Sequence, residues 1–148
     1  MEIKIYTDGA CEGNPGPGGW AAIVIVKNKK NEICGGEKIT TNNRMELTAA
    51  IKALEFCEAQ EDKQLTLNLI KIYTDSIYVK EGITTWIHNW EKNNWKTSDK
   101  KNVKNIDLWK KLKDLIKTKK IEWLWIKGHS GDSMNDLADK LAKESIPI

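Results

Sequence analysis

Four carboxylates in this chain occupy positions where they could act together: Asp8, Glu46, Asp75 and Asp139. Asp8 closes a stretch in which Ile3, Ile5 and Thr7 alternate with Lys4 and Tyr6, the period of a half-buried strand. Asp75 follows a strongly apolar run from Leu65 to Tyr73. A carboxylate where a strand ends lies at the rim of a sheet but is held by a rigid element. If the two strands are neighbours, their carboxylates meet, and like-charge repulsion costs free energy unless a cation offsets it. Oxygen donors with no Cys or His cluster beside them suit Mg²⁺ or Mn²⁺ better than Zn²⁺. Glu46 and Asp139 fall in helical sequence. By themselves they read equally well as an acid favouring a helix macrodipole and a solvent-facing acid near Asn135.

The elements that must hold these groups follow from periodicity. Strands are predicted at Ile3 to Asp8, Trp20 to Val26, Glu32 to Thr40, Leu65 to Tyr73 and Ile121 to Lys127. Gly13 to Gly19 reads as a loop and Asn28 to Asn31 as a hairpin turn. Gly35-Gly36 suggests a bulge or a close backbone approach. A helix from Arg44 to about Ala59 follows a cap at Asn42 or Asn43, with Leu47, Ala50, Ile51, Leu54 and Phe56 apolar. Short helices are expected at Ser76 to Lys80, stopped by Gly82, and at Thr84 to Trp90. Lys92 to Lys104 is basic and irregular. Asp107 to Thr118 is amphipathic, Gly128 to Ser133 a loop, and Met134 to Ser145 a final helix. A meander followed by βα units implies an α/β fold, a mixed sheet with helices on its faces. No repeat or linker divides the chain, so 1–148 is expected to be one domain.

Composition bounds the function. Of 148 residues, 40% are hydrophobic and 30% charged, enough for a core that needs no disulfide. Cys11, Cys34 and Cys57 are odd in number and scattered, which fits a reducing compartment. With no leader pattern and no long apolar run, a cytoplasmic monomer away from membranes is expected. The net charge of +3 permits a nucleic-acid partner. Lys92, Lys96, Lys100, Lys101 and Lys104 concentrate positive charge in one segment. Trp86, Trp90, Trp95 and Trp109 lie in or near it, as base-stacking platforms or, the favoured reading, as packing under a basic protrusion. Arg44, the only arginine, marks either a need for a planar fork or an ordinary surface site. The glycine-rich loop lacks the Gly-Lys-Ser/Thr ending of a phosphate-binding P-loop and leads into a strand, which argues against a nucleoside-triphosphate site.

The context of the carboxylates is more specific than the residues alone. Tyr6-Thr7-Asp8-Gly9-Ala10, Thr41-Asn42-Asn43-Arg44-Met45-Glu46-Leu47, Tyr73-Thr74-Asp75-Ser76, and Gly128-His129-Ser130-Gly131 followed by Asp139 occur in order. On these motifs the chain resembles bacterial-type ribonuclease H, type 1, from Ile3 to about Lys143. The resemblance implies a five-stranded mixed sheet flanked by helices. It implies hydrolysis of the RNA strand of an RNA–DNA hybrid, leaving 5′-phosphate and 3′-hydroxyl ends. It implies two Mg²⁺ ions, with Mn²⁺ as a substitute, held by Asp8, Glu46, Asp75 and Asp139, and assistance from His129. By the same resemblance Cys11, Asn14 and Asn43 face the RNA strand, with Asn42 close by. Thr41 and Asn105 match a phosphate pocket for the DNA strand, next to Arg44. The segment lysines grip phosphates without reading sequence. Two departures stand out: Ile39 where some relatives carry a basic residue, and Ile77 where some carry Gln. A non-cleaving module on the same fold and a DNA nuclease are the competing readings.

Overall fold

The structure is a computed structural model in which residues 2–60, 69–127 and 133–148 are described. The elements run β1 (Glu2–Cys11), β2 (Gly16–Val26), β3 (Lys29–Thr40), α1 (Asn42–Ala59), β4 (Leu69–Thr74), α2 (Ile77–Glu81), a π-helical turn (Gly82–Trp86), α3 (Ile87–Lys92), α4 (Ile106–Ile116), β5 (Ile121–Trp125) and α5 (Ser133–Glu144). They form one five-stranded sheet in the order β3-β2-β1-β4-β5. β1, β2 and β3 make an antiparallel meander, and β4 and β5 add in parallel beside β1. A parallel neighbour needs a crossover rather than a hairpin, and α1 lies in the one between β3 and β4.

The alternation read from sequence sorts the two faces of the sheet. Ile3, Ile5, Ala22, Val24, Ile70 and Ile72 point to the side where Leu47, Ile51 and Leu54 of α1 and Leu112 of α4 close the main core. The other face carries Tyr6, Ile23 and Tyr73, packed against Ala138, Leu137 and Leu141 of α5. Tyr6 and Tyr73 are register partners, and their rings stack with centroids 4.6 Å apart. α5 has its apolar residues on one stripe, as a helix covering a single sheet face should.

Several boundaries differ from the sequence reading. β2 starts at Gly16, because Gly16, Gly18 and Gly19 pair with β3. The irregularity in that ladder falls between Gly16 and Gly18, not at Gly35-Gly36. Gly36 instead allows a close backbone approach: a Cβ there would stand 2.2 Å from the Ser145 carbonyl oxygen, and one on Gly19 would stand 2.1 Å from that of Ala142. The cap of α1 is Thr41, whose hydroxyl accepts from the Arg44 amide at 3.2 Å; Asn42 and Asn43 lie in the first turn. Gly82 does not stop a helix. It continues from α2 into the π-helical turn, under the ring of Trp109. β5 ends at Trp125. The predicted strand from Leu65 is seen from Leu69, its first residues lying outside the described ones.

Trp109 is fully buried, while Trp86, Trp90 and Trp95 are half-buried. Their rings form a chain, Trp86–Trp90 at 6.0 Å, Trp90–Trp95 at 6.3 Å and Trp90–Trp109 at 5.4 Å between centroids. This is the packing reading of the tryptophans, and it anchors the basic segment to the core. Among the described residues no helix is long and apolar enough to cross a membrane.

Candidate metal centre and nucleic-acid surface

Asp8 does not close β1. The strand stays paired with β2 as far as Cys11, with Asp8 opposite Ala21. On its other side β4 stops at Thr74, the partner of Thr7. Asp8 therefore passes one residue beyond the end of its parallel neighbour, and Asp75 follows that end. Glu46 arrives from the second turn of α1, beyond the reach of a macrodipole effect on the first turn. The helix comes this near because Gly9 has no Cβ: one there would lie 2.6 Å from the Glu46 amide nitrogen.

The result is a group of three carboxylates, Asp8, Glu46 and Asp75, with one oxygen from each lying within 4.8 Å of the others. Asp8 is 3% exposed and Glu46 4%. Glu46 Oε2 is buried without a hydrogen-bond partner among the described residues. Asp8 Oδ1 accepts from the Gly9 amide at 2.9 Å. Burial first, and then the Asp75 charge, push the Asp8 carboxyl up to about 7. Burial and the charges of Asp8 and Asp75 also push Glu46 well above the usual carboxylate range. A largely buried like-charged set with an orphaned oxygen on Glu46, all donors being carboxylate, is what a hard divalent cation would satisfy. The residues fit such an ion.

Asp139 lines the same depression, of about 420 Å³, together with Asn42, Asn43, Ser76, Ile77 and Tyr78. It stands at the edge of the trio, not within it, and its Oδ2 accepts from Lys143 Nζ at 3.0 Å. A larger depression of about 550 Å³, lined by Glu2, Lys4, Tyr6, Ile25, Lys27 and Asn28, holds no converging acids among its described residues.

The expected nucleic-acid contacts fall into three places. In the first, Asn14 Oδ1 accepts from the Asn42 amide at 3.2 Å, tying the glycine-rich loop to α1, and Cys11 Sγ lies 3.5 Å from the carbonyls of Gly16 and Thr40. In the second, Arg44 donates to both oxygens of Asp107, at 3.0 and 2.8 Å, and to Asn105 Oδ1 at 3.2 Å. The lone arginine is thus used as a planar fork. Asp107 is held below the usual carboxylate range by that bond. The third is the segment with Lys92, Lys96, Lys100, Lys101 and Lys104, all exposed. Ile39 and Ile77 are exposed as well, at 80% and 60%. His129 lies outside the described residues. Sequence reasoning passed over Tyr78, whose hydroxyl receives Asn105 Nδ2 and Trp109 Nε1, each at 3.0 Å. Its only signal was a tyrosine three residues after Asp75 in a short helix.

Comparison with known proteins gives a consistent result. The family model described as RNase H matches residues 1–146. A ribonuclease H of Dechloromonas aromatica is 56% identical over 97% of this chain and 93% of its own length. One of Methylobacillus flagellatus is 52% identical over 97% and 91%. Among solved structures, LC9-RNase H1, a type 1 RNase H with the type 2 active-site motif, superposes with a TM-score of 0.85 at 28% identity, covering 98% of this chain and 72% of that one. LC11-RNase H1 in complex with an RNA/DNA hybrid superposes with a TM-score of 0.75 at 25% identity, covering 97% and 96%.

Proposed function

Because the chain belongs to the ribonuclease H family, we propose that it hydrolyses the RNA strand of an RNA–DNA hybrid with two divalent ions, Mg²⁺ in the first instance, leaving 5′-phosphate and 3′-hydroxyl ends. The observation that carries this reading is the trio of buried Asp8, buried Glu46 and half-buried Asp75, in which Glu46 Oε2 has no hydrogen-bond partner among the described residues. Asp8, a member of the trio that also lines the depression with Asp139, would be shared between the ions; Glu46 and Asp75 would hold one side and Asp139 the other. Bound there, divalent ions supply Lewis acidity to the attacking and leaving oxygens of an in-line displacement.

The chain's own residues place the substrate. Asn42 and Asn43 border the acidic depression, and Asn14 and Cys11 sit behind them on the glycine-rich loop and β1. Contacts here with ribose 2′-hydroxyls distinguish RNA from DNA. Thr41 and Asn105, beside Arg44, take a phosphate of the DNA strand. The exposed lysines from Lys92 to Lys104 hold the duplex by charge. His129, assigned from the sequence resemblance alone, assists water activation or product release. We read the enzyme as a cytoplasmic monomer, in keeping with its three free cysteines.

The test is cleavage of matched hybrid, double-stranded RNA and double-stranded DNA, with and without Mg²⁺, followed by end-group analysis. Mg²⁺-dependent cutting of the hybrid's RNA strand alone is the expected result. Equal cutting of double-stranded DNA would replace this reading with a DNA nuclease, and binding without cutting would replace it with a non-catalytic module.

A further inference from the structure

Two donors expected to face the DNA strand are both fixed by Arg44. Its backbone amide donates to Thr41 Oγ1, so the Thr41 hydroxyl proton is left to point elsewhere. Its guanidinium donates to Asn105 Oδ1. A guanidinium has no acceptor, so the oxygen of the Asn105 amide must face Arg44 and the nitrogen must face away. That nitrogen meets Tyr78 Oη at 3.0 Å. The indole nitrogen of Trp109, also a donor only, meets the same oxygen at 3.0 Å. The phenol oxygen therefore accepts twice. The proton order Arg44 to Asn105 to Tyr78 has one solution, and it leaves Asn105 one free N–H. Asn105 sits at the N-cap of α4 in the left-handed region, at φ 61°, yet its side chain does not cap that helix. The amide is diverted from capping into this chain of bonds.

We propose that Tyr78 is a positioning residue for backbone-phosphate recognition. It holds the Asn105 amide so that an N–H, and not the carbonyl oxygen, faces a phosphodiester of the DNA strand. Tyr78 also lines the acidic depression, so one side chain sets the register between the gripped phosphate and the cleaved strand. The inference rests on the hybrid-cleavage reading above. A phenylalanine at this position keeps the ring packing but removes the acceptor, so the amide keeps its bond to Arg44 and loses the one that holds its nitrogen.

The experiment scans the DNA strand of a hybrid with single methylphosphonates, which replace one charged phosphate oxygen by methyl, and reads KM and kcat for RNA cleavage. The wild-type enzyme is expected to show one position where the modification raises KM. Tyr78→Phe should raise KM on unmodified hybrid roughly ten-fold, the scale of one hydrogen bond to a charged group, with kcat nearly unchanged, and should lose the position-specific penalty. Asn105→Asp, which puts a carboxylate in place of the N–H donor, should lose it too. Leu115→Ala, a packing loss elsewhere on α4, should lower Tm while keeping the penalty. A Tyr78→Phe enzyme that keeps the full penalty, or a wild-type enzyme that cleaves hybrid with no position-specific penalty, overturns the proposal. Failure of the wild-type enzyme to cleave hybrid at all overturns the function reading instead.

Discussion

Arg44 and Glu46 are two residues apart on α1, and they lie in opposite kinds of electrostatic surroundings. Around Arg44 every charge has a counterpart: the guanidinium meets both oxygens of Asp107, the Asn105 amide is held at both ends, and the Tyr78 oxygen accepts twice. Around Glu46 the charges are alike and crowded together, and Glu46 Oε2 is buried without a hydrogen-bond partner among the described residues. The first corner is complete as folded. The second is incomplete by its own chemistry and, on the reading proposed above, is completed by a divalent cation. A surface that must recognise one backbone geometry is best preorganised, whereas a centre that must take up a metal has to keep its ligands unsatisfied until the metal arrives.

The sharpest way to break this contrast is Asp8→Asn. The amide keeps the shape and removes the charge, so cleavage should fall below a few per cent of wild type while hybrid binding stays largely intact. Gel-shift titration beside a cleavage assay checks both halves; substantial Mg²⁺-dependent cleavage by the variant would remove Asp8 from the centre. Next in size is replacement of Lys92, Lys96, Lys100, Lys101 and Lys104 by Gln. Every phosphate that is no longer neutralised should flatten the slope of log K against log salt by something on the order of 0.9, the value for B-form duplexes. The maximal rate at saturating substrate should fall far less. An unchanged salt slope would take the segment out of the substrate surface.

A third prediction concerns protons. The Asp8 carboxyl is raised from 3.8 to about 7 in the fold, so the folded state binds this proton more tightly than the unfolded chain. Its contribution to stability is present in full below about 4 and is lost as pH rises through about 7. Metal-free protein should therefore show a Tm component that declines across that window, and Asp8→Asn should shrink it to the part that Glu46 contributes. Mg²⁺ should raise Tm more at pH 8 than at pH 5. Equal stabilisation at both pH values would show that the cluster does not charge against repulsion. The smallest effect is expected from Arg44→Lys. The ion pair is part-exposed, with Asp107 61% accessible, so a loss of roughly 0.2–1 kcal/mol is expected, fading in high salt. A much larger loss by denaturant titration would show that the corner carries more of the fold than its exposure suggests.

How much of this was legible in the chain depends on how local each cause is. The alternation in Ile3 to Thr7 gave the strand and the face that Ile3 and Ile5 bury, though not the burial of Tyr6 under α5 on the other face, and the meeting of Asp8 with Asp75 followed once those strands were taken as neighbours. The cap of α1 was misplaced by one or two residues because Thr41, Asn42 and Asn43 are all competent caps and only the backbone path selects among them. Gly82 reads as a stop in isolation. Its actual role, making room for the ring of Trp109, belongs to a residue far along the chain. The same holds for Tyr78, whose partners Asn105 and Trp109 come from α4 and its entry. Burial of Glu46 was invisible for a related reason, since it depends on how closely α1 approaches Gly9.

The glycine seats under the C-terminal end of α5 have a mechanical consequence. Gly19 and Gly36 present bare backbone to Ala142 and Ser145, and Asp139 lies one turn back along the same helix. Each absent methyl works as a missing shim. Filling either seat would push the C-terminal end of α5 off the sheet and disturb the placement of Asp139 one turn away, with no change to any acidic residue. The seating of the helix that carries Asp139 thus depends on two hydrogen atoms of the meander, on strands that carry none of the centre's four carboxylates.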